Sequence, residues 1–275
     1  MVFLYIFLGI VILFCTWLFL ISPGDSEGMD KFKNVRYAHR GLHGTVGGYD
    51  KNAAENSLTA FARAKEHGFG IELDVRLTKD GEVVVFHDDT LDRVTDMSGK
   101  VEDYTLDELR KCRLGDTEDT VPTLSEVLEL IDGAIPLLIE IKQDGFNCAV
   151  SEKSAEILAG YEGDYIVESF NPFAFGAYKK KLPKISRGFL AYKHTQKKEC
   201  RSLKFRLTQR FLFNCAARPA FIAMHYKTPR LFPMPVVSAL FKTPMIAWTV
   251  HSKEEEIEAY KNGFSGVIFE GYMPD

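Results

Sequence analysis

The hydrophobic pattern divides the chain into two unlike parts. Residues 2–22 carry no charged side chain and are dominated by Leu, Ile, Phe and Val. A helix rises about 1.5 Å per residue, so roughly 20 such residues cross a hydrocarbon core of about 30 Å. The run therefore predicts a single transmembrane anchor over residues 1–22. A secretory signal peptide would carry a basic start and a small-residue cleavage site, and neither is evident. Residues 23–34, with Pro23, Gly24 and Gly28, read as a short polar linker.

From residue 35 onward, short apolar runs alternate with amphipathic ones. The apolar runs predict strands at 35–38, 71–77, 83–86, 136–142, 165–170, 186–192, 221–225, 245–250 and 266–270. Helices are predicted over about 57–67, 105–111, 123–132, 152–159 and 254–262. Thr105 with Glu108, and Thr123 with Glu126, have capping-box spacing, and Asn56 or Ser57 can cap the first barrel helix. Asp80-Gly81 turns the chain between two strands too close for a helix to intervene. Alternation of this kind means a parallel sheet, and about eight strands in one unit means an α/β fold of the (β/α)8 TIM-barrel type over residues 35–275.

Composition changes this picture little. Among 275 residues the formal net charge is −4, which gives no reason to expect nucleic acid. Cys112, Cys148, Cys200 and Cys215 show no paired spacing, which suggests reduced thiols. Lys31, Lys33 and Arg36 follow the apolar run and no Lys or Arg precedes it, so the positive-inside rule places the barrel in the cytoplasm.

The chemistry concentrates at predicted strand ends. Glu72 and Asp74 stand two apart in an apolar strand, so both carboxylates project from one face. Buried acids need a cation or hydrogen bonds, and hard divalent cations prefer carboxylate oxygen. His39, His87, Glu140 and Lys142 lie at other strand ends. In such barrels, reactive residues gather at that face. Trp248 can be core or a wall stacking on substrate carbons. Glu55 can serve a helix dipole or support a neighbouring side chain, or be a ligand itself, and His43 is a loop histidine near the same region. Residues 193–210 interleave Lys and Arg with an apolar stripe, readable as an outer barrel helix or as a basic helix resting on anionic lipid. The segment 228–235 sets Leu231, Phe232 and Met234 between prolines, to close the core or to dip toward a membrane.

The blocks His39-Arg40-Gly41, Glu55-Asn56, Glu72-Leu73-Asp74-Val75 with Thr78-Lys79-Asp80-Gly81, His87-Asp88 and Glu140-Ile141-Lys142, in this order and spacing, resemble the glycerophosphodiester phosphodiesterase family. Pro122-Thr123-Leu124 and Trp248-Thr249-Val250 add weaker support. The resemblance implies hydrolysis of a glycerophosphodiester to glycerol 3-phosphate and an alcohol, in glycerol and lipid metabolism. It implies one divalent cation, Ca²⁺ or Mg²⁺, held by Glu72, Asp74 and Glu140. His39 and His87 would be general acid and base, and Arg40 and Lys142 would hold the phosphate. The chain departs from the family pattern at Ala54, at His251 and at Phe269-Glu270, positions that bear on the rim of the pocket. Alternatives from the same residues are a lysophospholipase D-type activity at the membrane and a catalytically silent module that binds phospholipid head groups.

Overall fold

The computed structural model describes residues 1–49, 52–191, 207–228 and 232–275. Eight parallel strands close into a barrel: β1 (Arg36–His39), β2 (Gly70–Leu77), β4 (Leu137–Ile141), β5 (Tyr165–Ser169), β6 (Arg187–Ala191), β7 (Phe221–His225), β8 (Met245–Val250) and β9 (Gly266–Phe269). β1 pairs with both β9 and β2, which closes the cylinder. The ninth strand, β3 (Val83–Val85), runs antiparallel to β2. It belongs to a hairpin outside the barrel, held by its own small core of Val84, Phe86, Leu91, Val101, Leu109, Cys112, Leu114 and Val121. The Asp80-Gly81 turn expected between the two strands forms here, with the Gly81 amide donating to the Thr78 carbonyl at 3.1 Å.

The helices are α1 (Val2–Ile21), α2 (Leu58–Glu66), α3 (Leu106–Leu109), α4 (Leu124–Ile131), α5 (Ala149–Leu158), α6 (Phe175–Lys181), α7 (Asn214–Ala217), α8 (Met234–Phe241) and α9 (Lys253–Lys261). Capping residues set several of their starts. Ser57 accepts from the Ala60 amide ahead of α2, and both expected capping boxes form, at Thr105 and Thr123. α6, α7 and α8 have no counterpart among the sequence expectations. α6 ends in three lysines and α7 is a single turn, so neither shows enough periodicity to be read alone. α8 begins within the segment 228–235, whose two expectations divide between residues. Met234 is buried, whereas Phe232 is 55% exposed. Leu231 and residues 193–206 lie outside the described residues.

Alternation along the strands builds the barrel interior. Tyr37, Leu138, Ile166, Leu190, Phe221, Ala223, Ile246 and Ile268 form one buried cluster inside it. Met29 and Phe32 join this cluster from below, carried by a 3₁₀ turn over Glu27–Phe32. Part of the segment expected as a linker is thus the floor of the barrel. Each of these large side chains contributes about 1.5–3 kcal/mol on burial. Outside the strands, one cluster packs α2, α4, α5 and α6 onto β2, β4 and β5, and a second packs α8, α9 and the end of α1 onto β6–β9. The described cysteines are unpaired.

Candidate active site

Two residues beyond the apolar interior layer, the inward positions turn polar. His39 follows Tyr37, Glu140 follows Leu138, Glu168 follows Ile166, Trp248 follows Ile246 and Glu270 follows Ile268. The parallel register sets them side by side, with His39 opposite Glu72, Asp74 opposite Glu140, and Glu140 opposite Glu168. His39, Arg40, Glu72, His87, Glu140, Glu168, Phe170 and Trp248 line a cavity of about 200 Å³ at the C-terminal face.

Glu72, Asp74 and Glu140 are buried, and each offers an oxygen within 4.8 Å of the others. Asp74 is held from two sides. Asn56 Nδ2 donates to its Oδ2 at 2.9 Å, and Lys142 Nζ stands 2.8 Å from its Oδ1. Lys142 also lies 2.7 Å from Glu140, so its ammonium sits within the carboxylate group and not among the cavity walls. Arg40 has a positive φ of 54°, and its backbone amide donates to Glu72 at 3.1 Å. Gly41 permits the turn to lie this close to α2, since a Cβ there would meet Ala60 at 2.8 Å. The Arg40 guanidinium bonds Glu55 at 2.7 Å, and Arg93 grips Glu55 from the other side. Glu55 is therefore the support of Arg40.

Electrostatics follow from this packing. Burial, with Asp74 and Glu140 beside it, pushes the Glu72 carboxyl well above its ordinary range. Burial also raises Glu140, against the pull of Lys142. Asp74 feels the same burial, but Lys142, His87 and Arg40 outweigh it and hold its carboxyl low. Glu168 is raised by burial and by Glu72 and Glu140, and its Oε2 has no hydrogen-bond partner. Four buried carboxyls thus face two cationic side chains, Arg40 and Lys142. Oxygen donors in excess of local positive charge suit a hard divalent cation.

Both histidines are oriented through Nδ1. His39 Nδ1 meets Glu270 at 2.8 Å, and His87 Nδ1 meets Asp88 at 2.5 Å. His43 Nε2 reaches the other oxygen of Glu270 at 3.4 Å. His39 and His43 hold the Glu270 carboxyl far below its usual range, and Asp88, bonded to Arg93 and His87, is lowered to about 2 despite partial burial. Burial lowers both His39 and His87, while Glu270 and Asp88 oppose the shift at their respective rings. Each Nε2 is left free of the orienting bond. Trp248 packs edge-on against Phe170 on the wall, with its indole N–H unpaired.

This constellation has known counterparts. The glycerophosphoryl diester phosphodiesterase family model matches residues 39–270. The chain belongs to that family. A glycerophosphodiester phosphodiesterase of Caldanaerobacter subterraneus subsp. tengcongensis is 34% identical over 256 residues, covering 86% of this chain and 93% of that protein. Among solved structures, an Oleispira antarctica phosphodiesterase in complex with the product sn-glycerol-3-phosphate superposes with a TM-score of 0.70 at 27% identity, covering 87% of this chain and 94% of that one. The Thermotoga maritima glycerophosphodiester phosphodiesterase gives 0.62 at 27% identity over 86% and 94%.

All residues expected at the site lie at this face of the barrel. Glu270, Asp88, Glu168 and Arg93 had no assigned role in the sequence. Glu168 and Glu270 carried a readable signal, an acid two positions beyond an inward apolar residue at a strand end. Arg93 carried none, because it reaches Glu55 across 38 residues of chain.

Proposed function

We propose that the chain hydrolyses glycerophosphodiesters to glycerol 3-phosphate and an alcohol, with His39 and His87 as the acid–base pair. One observation carries the reading: two histidines, each tied at Nδ1 to its own carboxylate, stand at one cavity with a buried three-carboxylate cluster. A phosphodiester resists attack because it is anionic. A divalent cation held by Glu72, Asp74 and Glu140 would supply charge neutralisation at the phosphoryl oxygens. Arg40 would add a planar fork for two of those oxygens, positioned by Glu55. Lys142 holds Asp74 and Glu140 in place, and it acts on the phosphate through that placement or by direct contact.

In the first step one histidine takes the proton of the glycerol 2-hydroxyl, whose oxygen bonds phosphorus. The bond from phosphorus to the departing alcohol breaks, and the other histidine protonates that oxygen. Water then opens the cyclic phosphate with the two histidines in exchanged roles. Glu270 and Asp88 steady each imidazolium as it forms. Trp248 and Phe170 give the glycerol carbons an apolar wall. Residues 1–22 are the anchor, 23–34 lead from it to the barrel and supply part of its floor through Met29 and Phe32, and the barrel over 35–275 is the catalytic unit, facing the cytoplasm.

The test is release of glycerol 3-phosphate from glycerophosphocholine, with EDTA or with added Ca²⁺ or Mg²⁺, beside His39→Ala and Glu72→Ala. Metal-dependent release that both substitutions abolish is expected. Absence of release with every metal would overturn the assignment of a soluble diester. Micellar lysophospholipid then distinguishes a lysophospholipase D-type enzyme from a binding module that turns over neither substrate.

A further inference from the structure

α1 does not leave the barrel as a free tether. Its last turn is part of the fold: Ile21 is fully buried among Phe189, Phe211, Ile222, Met224 and Val237. Asn214 Nδ2 caps the Ile21 carbonyl at 3.1 Å, Arg218 bonds the Ser22 hydroxyl, and the Gly24 amide donates to Pro219 at 2.9 Å. Gly24 lies so close that a Cβ would stand 2.4 Å from the Arg218 carbonyl oxygen. A removable leader has no reason to supply core, which favours a permanent anchor.

These contacts also fix a direction. Pro219 lies just before β7, at the N-terminal face of the barrel, and from there the chain passes under the floor to β1. Four residues back from Ile21, Trp17 stacks on Phe232 at 5.6 Å with the rings within 1° of parallel. Phe232 lies after β7, between that strand and α8, on the face that holds the active site. α1 therefore runs antiparallel to β7 along the outside of the barrel. Roughly 22 Å of helix, from Val2 to Thr16, projects beyond the catalytic rim.

The rim beside this helix is aromatic. Phe146 after β4 is 72% exposed and packs on Phe173 after β5, at 4.9 Å between ring centroids. Phe173 in turn packs on Phe213, between β6 and β7, at 5.7 Å. With Phe232, the apolar rings occupy four consecutive connections on the side where α1 docks. Asp144 and Lys227 are exposed on the same loops and suit a headgroup depth, not the hydrocarbon core. The opposite face exposes Lys31, Asp132, Glu162, Asp164 and Lys184.

We propose that the catalytic rim at Phe146, Phe173 and Phe232 rests on the lipid bilayer that holds α1, so that the active-site mouth opens at the membrane surface. The roughly 22 Å of helix that projects is already shorter than a bilayer core of about 30 Å, so α1 can reach across only if the barrel is drawn against the lipid, with the boundary at least at the level of Trp17 and Phe232. Trp and Phe at that depth are the side chains an interface favours.

This rests on α1 being the anchor, and the experiment separates the two claims. The full chain is reconstituted in vesicles of phosphatidylcholine and phosphatidylglycerol, with phosphatidylcholine brominated near the top of its acyl chains as quencher. Phe146→Trp, Phe232→Trp and Lys184→Trp are compared with the parent, each first checked for an unchanged thermal transition in detergent. The added fluorescence of Phe146→Trp and Phe232→Trp should be quenched, and that of Lys184→Trp should not. Vesicle-bound protein with Phe146→Trp unquenched, or with Lys184→Trp quenched equally, would overturn the orientation. Removal of the chain by alkaline wash would overturn the anchor and the orientation with it.

Discussion

Glu270 offers the sharpest test of how the site works. Its Oε2 accepts from His39 Nδ1 at 2.8 Å, and its Oε1 faces His43 Nε2 at 3.4 Å. A carboxylate accepts at both oxygens, whereas Glu270→Gln must turn an amide N–H₂ toward one of the rings. If the amide oxygen stays on His39, orientation survives but the negative charge beside the forming imidazolium is gone. A hydrogen bond to a charged group contributes about 1.5–3 kcal/mol. Glu270 is partly open to water, which favours the lower part of that range. At about 1.4 kcal/mol per tenfold, kcat/KM should fall roughly 10- to 50-fold. Glu270→Ala, which removes the orienting bond as well, should fall further. The pH dependence adds a sign. Glu270 raises the proton affinity of His39 against the lowering effect of burial. Its removal therefore moves the limb of kcat/KM set by His39 to lower pH, whether His39 acts as base or acid. The assay is kcat/KM for glycerophosphocholine across pH in parent and both variants. A Glu270→Gln enzyme within about threefold of the parent, with unmoved limbs, would refute the role of the carboxylate.

Two further outcomes follow from the same packing. Ionised Glu72 costs stability beside Asp74 and Glu140, because its folded pKa is raised above the unfolded value. Metal-free Glu72→Gln should therefore melt above the parent at neutral pH, and saturating Ca²⁺ or Mg²⁺ should reverse the order. Cation at a hundred times its Kd stabilises the parent by about 2.7 kcal/mol, or roughly 5–10 °C, readable by calorimetry. Inside the barrel, Gly188 faces the Phe221 ring, which a Cβ would meet at 2.1 Å. Gly188→Ala should cost about 1–3 kcal/mol by overpacking, and the loss should shrink in a Phe221→Leu background, as a thermal double-mutant cycle would report.

Much of this molecule is local information. A period of two along each strand placed Glu72 with Asp74 and put acids and histidines at strand ends, because successive strand side chains alternate faces. Capping residues marked α2, α3 and α4, since a helix start needs its free amides bonded within one turn. The 20-residue apolar run of α1 was legible without any cap, because a long uncharged apolar stretch is recognised from length and composition alone.

Tertiary structure decided what depends on distance through space. The Asp80-Gly81 turn made β3 the return strand of a hairpin in sequence, and it pairs antiparallel with β2; that this hairpin stands outside the barrel on a core of its own came only with the tertiary structure. Residues 23–34 read as a linker, yet Met29 and Phe32 close the barrel floor, since two apolar side chains among polar ones show no period. Glu270 became the partner of His39 only when the barrel closed, bringing positions 231 residues apart to 2.8 Å. The same closure set Lys142 between Asp74 and Glu140 and tied Arg93 to the support of Arg40. Sequence determined which side chains are available and which face of each element they take. Burial, which sets their charge, and their pairing, which sets their chemistry, exist only once the strands are side by side.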